Sequence, residues 1–170
     1  MAASHGQDQT GMVPDPNKGV FALAINHQNP QIMYGATAGS QSGALYKSTD
    51  GGRYWSFGGV IYDWNTNVII VDPIHPDIVY AGTDGFGGVF KSVDAGMSWD
   101  SVLWDFGGSI YDMTIDKINS ERVYALITTG QGVARTSDGG INWTISQIGD
   151  SSITIQGLWS LSQETGMKCL

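Results

Sequence analysis

The sequence sets carboxylates beside large aromatic rings, and chemistry would be sought there first. Asp63 adjoins Trp64, Trp104 is followed by Asp105 and Phe106, Tyr111 adjoins Asp112, and Asp84 stands two residues before Phe86. A ring stacks on the apolar face of a pyranose while a carboxylate accepts from its hydroxyls, so such a set can hold a sugar. Cutting a glycosidic bond asks for more, namely two carboxyl groups about 5 to 9.5 Å apart. Glutamate offers little as the second group: Glu121 stands beside a turn and Glu164 lies in the C-terminal tail. The competing use of the rings is to fill seams between packed sheets, which need large side chains.

Other chemistries lack residues in the right pattern. His5, His27 and His75 are far apart, and the single cysteine, Cys169, lies next to the C-terminus. Neither a metal site nor an intrachain disulfide is expected. DGFGG (84–88) and TGQG (129–132) are not followed by Lys-Ser/Thr, and no Gly-x-Ser-x-Gly elbow occurs, so no nucleotide or other cofactor is indicated. Acidic residues outnumber basic ones 16 to 8, a formal charge of −8 with no basic cluster. Nucleic acid and anionic membrane surfaces are therefore disfavoured as partners. No apolar run approaches the roughly 18 residues of a membrane span. MAASHGQDQTGMVPDP does not have the charged-then-apolar pattern of a secretory signal, which leaves the compartment open.

What must position the candidate residues is a repeat. Asp50, Asp94 and Asp138 recur every 44 residues, and so do Trp55, Trp99 and Trp143, within KSTDGGRYW (47–55), KSVDAGMSW (91–99) and RTSDGGINW (135–143). Upstream of each lie NPQIMYGAT (29–37), HPDIVYAGT (75–83) and NSERVYALIT (119–128), and before those VFALAIN (20–26), NVIIVDP (67–73) and IYDMTID (110–116). These pieces are short, rich in β-branched and aromatic residues and bounded by turn formers, so each reads as a strand. The 24 glycines suit many tight turns. No segment carries a helical apolar stripe free of Gly or Pro. Four short antiparallel strands in about 40 to 45 residues match one β-propeller blade. The expectation is an all-β chain of three full blades plus an extra strand, a partial or oligomer-completed propeller. An N-terminal extension covers 1–18 and the module 19–170, with blades at about 19–60, 61–104 and 105–148 and an orphan strand at 151–162 that would begin a fourth.

Within the repeated phrase the roles follow from side-chain chemistry. Asp accepts from backbone N–H groups of the turn after it, the Ser or Thr two residues earlier bonds in the same loop, Gly supplies a positive φ, and Trp is buried between sheets. The phrase resembles the Asp-box, or BNR-type, hairpin found in sialidases, sortilin-type receptor domains and xyloglucan-degrading glycoside hydrolases, and the surrounding text is most similar to the sortilin and xyloglucanase branch. The matching residues are Ser48, Asp50, Gly52 and Trp55; Ser92, Asp94, Gly96 and Trp99; and Thr136, Asp138, Gly140 and Trp143. The resemblance covers about residues 19 to 148. It implies an outer hairpin away from the ligand face, so Asp50, Asp94 and Asp138 are expected to hold turns. It also implies an extracellular setting. In the xyloglucanase-like enzymes a catalytic carboxylate follows a second strand in a Tyr-Ala-x-Thr-Asp-like context, which Tyr80-Ala81-Gly82-Thr83-Asp84 matches, so Asp84 is the catalytic candidate if the chain is a hydrolase.

Ligands of a propeller bind on the face made by loops after the second and fourth strands. Those loops here are AGSQSG (38–43), DGFGG and TGQG after second strands, and FGGVIYDWNTN (57–67) and LWDFGGSIYD (103–112) after fourth strands. They carry the ligand-binding candidates Asp63, Trp64, Asp84, Phe86, Trp104, Asp105, Tyr111 and Asp112. The leading expectation is a non-catalytic carbohydrate- or protein-binding module that self-associates. A glycoside hydrolase related to xyloglucan- and β-glucan-degrading propellers, and a purely structural assembly scaffold, are the alternatives. Three blades leave two faces unpaired, whereas propellers close with about 4 to 8 blades. A homodimer or other homo-oligomer that closes the ring is therefore expected, with each spare strand adding to the partner's incomplete blade.

Overall fold

The computed structural model describes residues 19–37, 44–61, 65–85, 87–104, 108–128, 132–146 and 153–155. The 1–18 extension and most of the 151–162 stretch lie outside them. Strands β1 (Val20–Ile25), β2 (Met33–Thr37), β3 (Ala44–Ser48) and β4 (Ser56–Val60) form a first sheet in sequence order. Strands β5 (Thr66–Val71), β6 (Val79–Thr83), β7 (Val89–Ser92) and β8 (Asp100–Leu103) form a second. A third contains β9 (Ile110–Ile115), β10 (Val123–Ile127), β11 (Gly132–Thr136), β12 (Trp143–Ser146) and β13 (Ile153–Ile155). Every pairing is antiparallel and joins neighbours in sequence.

The first hairpin of each sheet is closed by a polar side chain at the end of its first strand. Asn26 accepts from the N–H groups of Gln28 and Asn29, Asp72 from Ile74 and His75, and Asp116 from Ile118 and Asn119. This is an Asx turn, the local alternative that these side chains offer the backbone. The sheets then stack front to back, their first strands adjacent. Ala22, Tyr34, Ala36, Ile69, Val71 and Val79 fill the seam between sheets 1 and 2. Tyr80, Val89, Ile110, Met113, Val123 and Trp143 belong to the seam between sheets 2 and 3. At Gly82 the second seam closes so tightly that a Cβ would run into Ile110 and Val68, so only glycine fits there.

Two expectations change. Residues 153–155 do not begin a fourth sheet; they pair with β12 as Trp143↔Ile155, Thr144↔Thr154 and Ile145↔Ile153. The outer edge of β12 offers unpaired N–H and C=O groups, and the next strand-forming segment takes them up. The second concerns FGGVIYDWNTN (57–67) and LWDFGGSIYD (103–112), expected as loops after fourth strands. Phe57–Val60 is instead part of β4, paired with β3, and Ile110–Asp112 opens β9.

Candidate functional site

Asp84, Trp104, Tyr111 and Asp112 are the candidate contact residues within the described structure; Asp63, Trp64, Phe86 and Asp105 lie outside it. Asp84 follows β6 and Trp104 follows β8, so both leave the end of sheet 2 at which β5 begins. Trp104 is 49% exposed and Tyr111 67% exposed. Asp112 is exposed too, and its Oδ1 accepts from the Met113 N–H at 2.8 Å.

Asp84 is engaged at both oxygens. Oδ1 accepts from the Asn65 N–H and Oδ2 from Asn65 Nδ2, each at 2.9 Å, while the Asp84 N–H donates to the Asn65 carbonyl, also at 2.9 Å. The pair extends the β5–β6 ladder by one rung. Forty-four residues on, Ser109 and Thr128 do the same work: the Thr128 N–H donates to the Ser109 carbonyl at 2.9 Å, and the Ser109 N–H donates to Thr128 Oγ1 at 3.2 Å. The Gly85 N–H donates to Ser109 Oγ at 2.8 Å and so ties the two rungs together. Asp84 thus occupies a position of the repeat that a threonine can also fill.

The repeated phrase forms the turn between the third and fourth strands of each sheet. Ser48, Ser92 and Thr136 donate to Asp50, Asp94 and Asp138 at 2.7 to 2.8 Å, and accept from the N–H groups of Gly52, Gly96 and Gly140 at 2.8 to 3.0 Å. The Tyr54 N–H, the Ser98 N–H and hydroxyl, and the Asn142 N–H and Nδ2 complete the three carboxylate shells. The Ser98 hydroxyl and N–H, with Ser92 and Met97, hold Asp94 down to about 2. Hydrogen bonds led by that of the Tyr54 N–H lower Asp50. For Asp138, burial opposes ionisation, but Asn142 and Thr136 outweigh it and the carboxyl is lowered. Trp55 and Trp143 donate from Nε1 to Gly52 and Gly140 carbonyls at 3.0 and 3.2 Å, whereas the buried Trp99 Nε1 has no partner among the described residues.

One part of this framework was not singled out in the sequence. Tyr34 Oη and Lys47 Nζ of sheet 1 both donate to the Ala95 carbonyl in the sheet 2 turn, at 3.2 and 2.9 Å. Tyr80 Oη and Lys91 Nζ of sheet 2 donate to the Gly139 carbonyl in the sheet 3 turn, at 3.0 and 2.8 Å. In each case the ammonium lies 5.5 Å from the tyrosine ring centroid. Burial, and more weakly the Asp77 charge, pushes the Tyr34 hydroxyl up to about 12; burial with Asp72 and Asp138 does the same for Tyr80. The signal was a recurring Tyr and a recurring Lys or Arg, but their shared acceptor is a backbone carbonyl that no residue type marks.

Concavities among the described residues include the following two. A 310 Å³ groove runs along the first strands, lined by residues including Ile25, His27, Ile69, Pro73, Met113 and Lys117. A 130 Å³ apolar hollow lies on the outer side of sheet 1. Among the described residues no group of three or more His, Cys, Asp or Glu side chains comes together as a metal site.

Solved structures with the same arrangement of sheets are propellers. The chain is a β-propeller module. It is similar to a GH74 enzyme of Niastella koreensis, at 24% identity and a TM-score of 0.65, over 76% of this chain and 22% of that one. A GH74 xyloglucanase from Xanthomonas campestris matches at 16% identity and a TM-score of 0.63, over 82% of this chain and 28% of that one. YCF48 from Cyanidioschyzon merolae matches at 18% identity and a TM-score of 0.59, over 80% and 40%. The module therefore spans from about a fifth to two fifths of these structures' lengths. The sequence matches no protein-family model and no curated protein sequence. Each sheet can now be called a blade.

Proposed function

We propose that this module is a non-catalytic binding platform that also self-associates, with carbohydrate as the ligand class to test first. The observation that carries the non-catalytic part is the Asp84–Asn65 pair. Both carboxylate oxygens accept from one asparagine, and the equivalent place in the next blade is a Thr128–Ser109 pair with no acid at all. A general acid or nucleophile needs at least one oxygen aimed at substrate and a second carboxyl at the spacing given above. The exposed Trp104 and Tyr111 rings, with Asp112 beside Tyr111, favour a sugar surface over a closed pocket.

Two other readings have a specific observation behind them. Two of the similar structures are GH74 enzymes, one a xyloglucanase, which keeps hydrolysis by Asp84 in view. A structure of YCF48 bound to D1 peptide, 18% identical at a TM-score of 0.56, favours a protein segment as ligand. Retention on insoluble xyloglucan and β-glucan, together with release of reducing ends, separates the three. The expected result is retention that falls at least about tenfold in Trp104→Ala and Tyr111→Ala, with no reducing ends from the wild type or Asp84→Asn. Sugar release that Asp84→Asn abolishes would overturn the non-catalytic reading. Absence of retention would move the proposal to a protein ligand.

A further inference from the structure

The blades lock to one another in one direction, and the two outermost faces are left as the two halves of that lock. In blade 3, Tyr124 and Arg135 stand where blades 1 and 2 carry Tyr34 and Lys47, and Tyr80 and Lys91: 124 − 80 = 44 and 135 − 91 = 44. The strand register agrees, since Tyr34 pairs with Lys47, Tyr80 with Lys91 and Tyr124 with Arg135. Tyr34 and Tyr80 are buried, but Tyr124 is 38% exposed and Arg135 is exposed. Neither side chain hydrogen-bonds a described residue. At the other end of the module, Gly51 is the turn position that Ala95 and Gly139 hold in blades 2 and 3, and all three have positive φ. The Ala95 and Gly139 carbonyls each receive a tyrosine and a lysine. The Gly51 carbonyl receives nothing among the described residues.

Shape agrees with polarity. Leu126 occupies the place of Ala36 and Gly82 in the second strand, where the other blades need a small residue because the next blade presses in. It is 41% exposed. The residue that meets Gly82 across the seam is Ile110, and its counterpart at the start of blade 1 is Val20. Val20 lines the apolar hollow on the outer side of blade 1, with Leu23, Gly35, Ala36, Thr37, Tyr46 and Trp55 around it. The repeat operation thus carries Leu126 onto that hollow. It also carries Arg135 onto the turn that holds the Asp50 carboxylate, as it places Lys47 and Lys91 by the turns of Asp94 and Asp138.

We propose that a second copy of this chain docks head to tail, with Leu126 of one copy in the Val20–Leu23–Trp55 hollow of the other and Tyr124 and Arg135 on its Gly51 carbonyl. The contact is heterologous, so the docked pair keeps one donor face and one acceptor face for further closure. The proposal rests on the self-association read above and specifies which faces meet and in which sense.

The test is solution mass by light scattering during size exclusion, on the whole chain. Wild type should run as two or more protomers. Arg135→Glu with Leu126→Asp should weaken the association by about 30-fold or more, and so should Leu23→Asp on the opposite face. All three residues are exposed, so circular dichroism should be unchanged. An equimolar mixture of the two variants should recover a two-protomer species, because each retains the face the other has lost. A dimer that Leu23→Asp dissolves but Arg135→Glu/Leu126→Asp leaves intact would be face to face between first blades and would overturn the head-to-tail contact alone. A wild-type monomer up to about 100 µM, well above the Kd of a moderate interface, would overturn the contact and self-association together. Binding to polysaccharide would remain a separate measurement.

Discussion

At the scale of single residues, the module spends its acids on its own backbone. Asp94 is held at about 2 by Ser98, Ser92 and Met97, so the folded state binds its proton less tightly than an unfolded chain, where the value is 3.8. The stability this contributes is complete above about pH 4 and is lost as pH falls towards 2. Melting temperature followed from pH 5 to pH 2 should therefore drop across that window, and Asp94→Asn should flatten the drop while lowering stability at pH 5. The tyrosines act at the other extreme. Tyr34 and Tyr80 are pushed up to about 12 by burial, so the folded state holds their protons more tightly than the unfolded chain does. Their contribution is present below about pH 10 and disappears as pH rises through 12. Ultraviolet titration of phenolate should show two tyrosines titrating late, together with alkaline unfolding. Asp84 belongs with these structural acids by its contacts. The sequence placed it beside Thr83 in a catalytic-looking context, but its partner Asn65 lies 19 residues away, and the equivalent Ser109 and Thr128 share no residue type with either.

At the scale of elements, strands were legible and their lateral bonds were not. Alternation and turn formers mark β1, β5 and β9, and the recurring Asp and Trp mark the turn before the fourth strand, because each signal lies within about ten residues. The extra strand was visible as ITI but its partner was not; β12 is chosen by an open edge, which is a property of the assembled sheet. The turn itself contains a measurable strain. Ala95 has φ 58° at the position where Gly51 and Gly139 have 74° and 68°, a region that costs a residue with a Cβ about 1 kcal/mol or more. Ala95→Gly should therefore raise stability by about 0.5 kcal/mol, the relief of strain being partly offset by the freer unfolded chain. Denaturant midpoints at unchanged slope would check it; a loss of stability would mean that the Ala95 methyl packs more usefully than the strain costs.

At the scale of the whole molecule, three blades carry two seams and, among the described residues, two uncovered faces. Leu23 at 57% exposure and Leu126 on the far side are side chains of the seam type without a seam. An assembly that covers them stabilises the folded protomer by mass action, so the melting temperature should rise with protein concentration over about a hundredfold range. A melting temperature independent of concentration would belong to a protomer that is stable with both faces wet. The strand order adds a consequence in time. Because β1 to β4 pair only with their neighbours in the chain, the first blade has all its strands once residue 60 has left the ribosome, before those of the second have emerged. Each later blade can then zip onto the back of the one before it, so that synthesis runs in the same direction as stacking. Among the described residues no later blade fills the hollow beside Val20, which this order of stacking leaves available to another molecule.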